Sequence, residues 1–397
     1  MALPIPAPDA QAHSAELCAL ISDDIRAAGG WISFARYLEL VLYAPGLGYY
    51  SAGSRKFGAE GDFVTAPELS PLFGQALARQ VAEVMVQSAP EIIEAGAGSG
   101  LLAADLLLAL EALGALPERY RILDISADLV ARQRDTIALR APHLLSRVEW
   151  LSTLPERFAG VLIGNEVLDA MPAHLVVWSE GEATRERGVA LSHQDNTVRA
   201  FQFADRPLQG PLAAEVALVE NFCDQRESLW GKSAGAYQSE ISLANRAWIG
   251  ELSRRLDAGA MILFDYGFPR HEYYHPQRNG GTLMCHYRHH AHTDPFYLPG
   301  LQDVTVHVDF TTIAEAAFDQ GLSVLGYTSQ SHFLLNCGLL DLLAAETDTV
   351  RRARNASAVH KLVSPSEMGE LFKVIALGKG VAEPLLGFSQ GDKTHSL

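Results

Sequence analysis

Cysteine is scarce in this chain of 397 residues: Cys18, Cys223, Cys285 and Cys337 stand far apart, and no two form a C-x-x-C pair. That spacing argues against a disulfide framework or a structural zinc site and for free thiols in a reducing compartment. Long hydrophobic runs are missing too. No stretch reaches the roughly 18 uninterrupted apolar residues that a helix needs to span a bilayer, so no membrane insertion is expected. Cations are in deficit, with 31 Lys plus Arg against 47 Asp plus Glu and a formal net charge of -16. Without a basic arm or stripe to neutralise phosphates, nucleic acid is not an expected partner, whereas a cationic one is. The chain has no Lys or Arg before Arg26 and its start is broken by prolines. That is neither a secretory signal nor an Arg-rich transit peptide, which points to the cytoplasm. No Walker loop is present, and the two G-x-S-x-G strings, Gly231-Lys-Ser-Ala-Gly235 and Gly387-Phe-Ser-Gln-Gly391, do not follow an expected strand as a nucleophile elbow would, so acyl transfer and nucleotide hydrolysis drop out.

What is present is ample core material: 48% of the residues are hydrophobic and only 20% charged. The expected architecture is α/β, because short apolar runs alternate with helical spacing, the pattern of a mostly parallel sheet covered on both faces. The runs are Glu91–Ala95, Tyr120–Ile125, Val148–Leu151, Phe158–Asn165 and, after a long detour, Ala260–Asp265; Leu322–Tyr327 and Phe372–Leu377 complete the sheet. Residues 1–13 read as a mobile arm and 381–397 as a mobile tail. Residues 14–90 read as a helical region with a glycine-rich covering loop, and 91–380 as the core. Within the core, 170–240 is an expected α+β insertion between core strands 4 and 5, with hairpin strands at 174–178, 187–191 and 197–203 and helices at 212–221 and 241–256.

Glu94-Ala-Gly96-Ala-Gly98-Ser-Gly100-Leu follows the first core strand and opens a helix. Glycines there let the backbone turn tightly and approach a ligand, and they leave helix N-terminal amides free. The dinucleotide fingerprint G-x-G-x-x-G is broken, since the third glycine falls one residue early and Leu101 takes its place. G-x-G-x-G after an acid points instead to S-adenosyl-L-methionine; the alternative is a turn that merely lets helix and strand pack. Asp124, with Ile125 beside it, ends the second strand 28 positions after Gly96, where an acid can accept ribose hydroxyls. It could equally cap the following turn with Ser126.

Gly164-Asn165-Glu166-Val-Leu-Asp169 places two acids and an amide at the carboxyl end of the fourth strand, and Asp265 ends the strand expected beside it. Ligands bind at that edge of open α/β sheets. An anionic pocket beside a methyl donor suits a guanidinium, which arrives charged, can be gripped bidentately and must eventually lose a proton. The competing role for each acid is capping a helix or binding cofactor. His286-Tyr-Arg-His289-His290-Ala-His292 lacks regular ligand spacing and partner acids, so no metal site is expected. The leucines from Leu334 to Leu343 read as core helix.

Together these stretches give the chain a resemblance to the MidA-like family, which includes the mitochondrial complex I assembly factor that is a protein arginine methyltransferase. The residues that carry it are Gly48-Tyr-Tyr, Gly61-Asp-Phe-Val-Thr-Ala-Pro-Glu-Leu-Ser70, Gly164-Asn-Glu-Val-Leu-Asp-Ala-Met-Pro172, Ser239-Glu-Ile241, Asp265-Tyr-Gly267, Gly281-Thr-Leu283, Pro299-Gly300 to Asp303, His307-Val-Asp-Phe310 and Met368-Gly-Glu-Leu-Phe-Lys373. The resemblance implies an S-adenosylmethionine-dependent methyltransferase with a Rossmann-like sheet carrying one antiparallel strand near the edge. It also implies an arginine substrate, in mitochondrial members within a complex I core subunit. By motif, Thr65, Pro67 and Glu68 would close over the cofactor, Gly96, Gly98 and Gly100 would contact it with Glu94 and Asn165, and Asp124 with Ile125 would hold the ribose end. Asn165, Glu166, Asp169 and Asp265 would line the reaction centre, with Glu240 as a further candidate. Asp124 stands where the family has a longer Glu, and Met284 stands where an Arg is expected. Rival readings are a non-catalytic assembly chaperone that senses S-adenosylmethionine and an NAD(P)-dependent oxidoreductase, the latter disfavoured by Leu101.

Overall fold

A computed structural model describes residues 3–52, 65–179, 181–192, 201–224 and 236–397. Each of its two compact units is assembled from three stretches of chain. The larger gathers 64–167, 248–269 and 308–397, and the smaller 1–63, 168–247 and 270–307.

The larger unit is built on the apolar runs. They form β1 (Glu91–Ala95), β2 (Arg119–Leu123), β3 (Val148–Leu151), β4 (Phe158–Asn165), β5 (Leu256–Phe268), β6 (Ser323–Ser329) and β7 (Phe372–Lys379). Their order is β3-β2-β1-β4-β5-β7-β6, and the two-residue strand Val308–Asp309 lies along the end of β5. From β3 to β5 every pairing is parallel, while β7 runs antiparallel to both β5 and β6. This is the expected sheet, with its one reversed strand next to the edge. Strand order changes direction between β1 and β4, so their carboxyl ends flank the crevice where α/β sheets take ligands.

Helix Leu101–Ala112 is apolar around most of its circumference and buried accordingly, from Leu102 through Leu107 and at Leu110. Its one buried acid, Asp105, is paired with Arg140 at 2.8 Å. Helix Leu72–Gln87 lays Phe73, Leu77, Val81 and Val84 into the same core. It also clasps the segment expected to be a mobile tail. Gln80 Oε1 accepts from Gly387 N (2.7 Å), Glu83 Oε2 from Leu386 N (2.9 Å) and Gln87 Oε1 from Ala382 N (2.8 Å). Leu385 and Phe388 are buried in the core beside Phe333. Two anchors at irregular spacing leave no periodic signal, which is why this packing is invisible in sequence.

The smaller unit has its own core. Helices Pro8–Ala27 and Phe34–Tyr43 bury Leu17, Ile21, Ile25, Phe34, Tyr37 and Val41 with Leu175, Val189 and Phe201. The first helix starts at Pro8, inside the segment expected to be an arm, because proline is well accommodated in a first helical turn. Its sheet is antiparallel: Ile32–Ser33 and Phe201–Pro207 both pair with Arg185–Leu191, which pairs with His174–Trp178 and so on to Tyr237–Ile241. The expected insertion and N-terminal region therefore share one sheet. Residues 197–200 of the third expected hairpin strand lie outside the described residues, and the helix expected from Ile241 begins at Leu243, Ile241 ending a strand instead. A three-stranded sheet, His290–His292, Met284–Tyr287 and Asp303–Thr305, completes the unit.

Candidate functional site

The turn after β1 is shaped by three left-handed glycines, Gly96 (φ 64°), Gly98 (φ 51°) and Gly100 (φ 79°). They serve different ends. A Cβ on Gly98 would meet nothing within 4 Å, so this stretch of backbone faces open space. A Cβ on Gly100 would sit 2.9 Å from Gln133 Cα, so Gly100 is where the helix Ala127–Arg140 comes against the turn. Gly100, expected among the ligand contacts, is thus a packing glycine. Immediately after it, helix Leu101–Ala112 begins without a side-chain cap, leaving its first amides to bind an acceptor.

Asp124, at the end of β2, is tied into this turn. Its Oδ1 accepts from Ser126 N (2.9 Å) and its Oδ2 from Gln133 Nε2 (2.7 Å), and the same Gln133 nitrogen reaches Gly98 O (3.2 Å). Asp124 does cap the following turn, and of a carboxylate's roughly four acceptor positions the donors of Ser126, Gln133 and Ile125 leave one for a ligand hydroxyl. Burial raises its pKa, opposed by the hydrogen bonds from Ser126, Gln133 and Ile125. Ile125 next to it is 75% exposed, an apolar side chain available to a flat ring.

Glu94 lies deeper. It is buried in β1, accepts from Tyr120 OH at 2.7 Å, and has its pKa pushed up to about 7, chiefly by burial and also by the charge of Asp124, against the lowering effect of the tyrosine. It lies inside the sheet behind the glycine turn. Thr65 precedes the short helix Ala66–Leu69, whose Pro67 is buried and whose Glu68 N donates to Thr65 O (3.0 Å). That helix packs on Leu101–Ala112. Residues 61–64 of the loop motif lie outside the described residues.

At the end of β4 the chain makes a strained bend. Glu166 has φ 54°, rare for a side-chain-bearing residue, and its N donates to Phe264 O on β5 (2.9 Å). Asp265 holds the bend. Wholly buried, it accepts from Val167 N (3.2 Å) and Tyr266 N (3.0 Å), which makes it a brace for the Asn165–Val167 turn. Val167 packs toward Gly96, whose Cβ would lie 3.2 Å from Val167 Cγ2, so the two loops are neighbours. Asn165 Nδ2 donates to Glu166 Oε1 (3.1 Å), while Asn165 Oδ1 is buried without a hydrogen-bond partner among the described residues. A buried amide oxygen left unpaired costs about 1–3 kcal/mol, so the site favours a ligand N–H at that point.

Asp169 and Glu240 belong to the smaller unit. Glu240, expected as a possible reaction-centre acid, is committed to structure. Its carboxylate accepts from Thr282 N (2.9 Å), Thr282 Oγ1 (2.9 Å), Leu283 N (3.1 Å) and Tyr273 OH (3.4 Å), and burial raises its pKa against the bonds from Thr282. Thr282 Oγ1 in turn accepts from His307 N (3.0 Å). Three of the motifs shared with the family, around 239–241, 281–283 and 307–310, therefore meet as one hydrogen-bonded knot. Another pair meets where Tyr50 OH donates to Asp303 (3.0 Å). Tyr50 has its pKa raised by burial and by the charges of Asp303 and Asp169, which places Asp169 near that hydroxyl. Sequence reasoning missed Gln133, Thr282 and the Tyr50–Asp303 pairing; only the spacing of the shared motifs hinted at the last two.

Residues 76–328 match a protein family described as "Putative S-adenosyl-L-methionine-dependent methyltransferase". The chain belongs to that family. A Burkholderia thailandensis protein described as a "likely methyl transferase", crystallised with S-adenosyl-homocysteine, is 50% identical, matches with a TM-score of 0.91 and is covered in full by a full-length match of this chain. Among curated proteins, the mitochondrial protein arginine methyltransferase NDUFAF7 of Danio rerio is 28% identical over 403 residues, covering 91% of this chain and 90% of its own. The human protein of that name is 28% identical over 374 residues, covering 88% and 80%. This methyltransferase thus uses S-adenosyl-L-methionine, and its open glycine turn, uncapped helix amides and Asp124 suit that cofactor's carboxylate and ribose. The expected cytoplasmic location draws no support from relatives named mitochondrial. Among the described residues no helix is long and apolar enough to cross a membrane.

Proposed function

We propose that the methyltransferase modifies an arginine side chain of a partner protein. The observation that carries this reading is the bend after β4, where a buried, unpartnered Asn165 Oδ1 stands beside the Glu166 carboxylate. A guanidinium offers the N–H that such an oxygen lacks and the charge that such a carboxylate favours. The names of the NDUFAF7 relatives support the same substrate class, and by family resemblance the partner is a complex I type subunit.

In this reading the amides opening helix Leu101–Ala112 bind the cofactor's carboxylate and Gly98 lies against its chain. Asp124 takes a ribose hydroxyl, Ile125 covers the adenine, and Thr65, Pro67 and Glu68 close the near side. The bound cofactor supplies an electrophilic sulfonium methyl. Asn165 and Glu166 orient the guanidinium so that one nitrogen faces that methyl. As the N–C bond forms and the S–C bond breaks, the guanidinium nitrogen loses a proton, which Glu166 or water accepts. Asp265 acts through the backbone, holding the turn that aims both groups.

The test is transfer of radiolabelled methyl groups to lysate proteins, with mass spectrometry of the labelled residue. Label on arginine that falls at least about 100-fold in Glu166→Gln, with S-adenosylhomocysteine affinity retained, is the expected result; one lost transition-state contact to a charge is worth about 3 kcal/mol. Label on another residue type overturns the arginine assignment. Cofactor binding with no labelled acceptor would favour the non-catalytic chaperone.

A further inference from the structure

Gln133 carries no motif and stands mid-helix among charged neighbours, yet it is wholly buried. Its amide is oriented without ambiguity. Trp150 Nε1 can only donate, and it lies 3.0 Å from Gln133 Oε1, so the NH2 must face the other way. There it meets two acceptors from different loops, Gly98 O at 3.2 Å and Asp124 Oδ2 at 2.7 Å. One side chain therefore sets the spacing between the glycine turn and the β2 carboxylate. The chain is shaped to let it do so, because only a glycine at position 100 allows the Gln133 backbone this close. On the far side, the Arg134 guanidinium lies over the Trp150 ring at 4.0 Å and holds the indole that fixes the amide.

We propose that Gln133 is a positioning residue for S-adenosylmethionine: its amide holds Asp124 in the orientation that meets the ribose and locks that acid to the glycine turn. The inference rests on the assignment of Asp124 to the ribose. Gln133 touches no reacting atom and acts through Asp124. It also keeps the acid ionised, since a donated hydrogen bond favours the carboxylate. The groups around Asp124 are the donors of Ser126, Gln133 and Ile125, which favour its ionisation against burial, and Glu94 from β1, whose own pKa the charge of Asp124 raises. Replacing Gln133 with an apolar residue of similar length moves that balance toward the protonated acid.

The experiment is calorimetric binding of S-adenosylhomocysteine to wild type, Gln133→Met, Asp124→Ala and the double variant, each first checked for a cooperative thermal transition. Met keeps the volume and removes the amide. We expect Gln133→Met to bind about 10-fold more weakly, equivalent to about 1.4 kcal/mol. In the Asp124→Ala background the same change should cost less than about 3-fold, the non-additivity of two residues acting as a unit. The acid limb of affinity should also move to higher pH in Gln133→Met, measured with Glu94→Gln in both proteins so that Glu94 does not titrate. Wild-type affinity in Gln133→Met, or a full additional loss in the double variant, overturns the positioning role while leaving the ribose assignment intact. Unchanged affinity in Asp124→Ala overturns the ribose assignment and the inference with it. If Gln133→Met does not fold, Gln133→Glu replaces it: a carboxylate there repels Asp124, and an affinity that equals wild type at pH 8 overturns the proposal.

Discussion

Single acids at this site divide by what already holds them. Asp265 and Glu240 look alike in sequence to Glu166, each an acid at a strand end or in a strand, yet the first two are held by backbone amides while Glu166 meets the side-chain amide of Asn165. Charge and position were legible in the chain; which donors fold back onto a carboxylate was not, because Val167, Thr282 and Leu283 lie tens of residues from the acids they meet. Glu94 is the sharpest case, an acid in a glycine motif that lies behind the turn. Its folded pKa is about 7 against an ordinary 4.5. A carboxyl raised on folding stabilises the protein most when protonated, so the protein loses stability as pH rises from about 4.5 through about 7, by up to about 3 kcal/mol. Glu94→Gln should remove that slope. Urea denaturation at pH 5 and pH 8 reads it directly, and equal pH dependence in both proteins would discard the buried acid as its source.

The strands were readable because each is a short apolar run covered on both faces, whereas Tyr237–Ile241 was not, its Gln238 and Glu240 interrupting any such run. The glycine turn was readable as a ligand element but not in its division of labour. That division can be tested within one element. Gly98→Ala forces a left-handed Cβ into open space, costing about 1–2 kcal/mol of stability and blocking the backbone face open to ligand. Gly100→Ala adds the same backbone strain and also drives a methyl against the Gln133 backbone, a total cost of roughly 2–5 kcal/mol. Thermal denaturation and S-adenosylhomocysteine titration should therefore separate the pair, Gly98→Ala losing mainly affinity and Gly100→Ala mainly stability. The reverse ranking would undo the assignment of Gly100 to packing.

At the scale of the whole chain, two apolar clusters share no residue, one centred on the parallel sheet and one on the helices Pro8–Ala27 and Phe34–Tyr43. Separate cores predict two unfolding transitions in denaturant. S-adenosylhomocysteine at about 100 times its dissociation constant should raise the stability of the unit holding the glycine turn by about 2.7 kcal/mol, and a variant such as Phe388→Ala, costing about 3–5 kcal/mol, should lower the same transition. A single transition that both perturbations shift would instead make the chain one cooperative body. The sequence suggested one core with an insertion because segments distant in the chain, 1–63, 168–247 and 270–307, close the second core only in three dimensions.

The position of β7 has a consequence for biosynthesis. It is the last strand of the sheet to leave the ribosome, yet it sits between β5 and β6 rather than at the edge. Until it arrives, β5 presents an unpaired flank and β6 has no neighbour to join, the kind of open ladder that recruits other chains. The sheet therefore stays incomplete until its final strand is delivered.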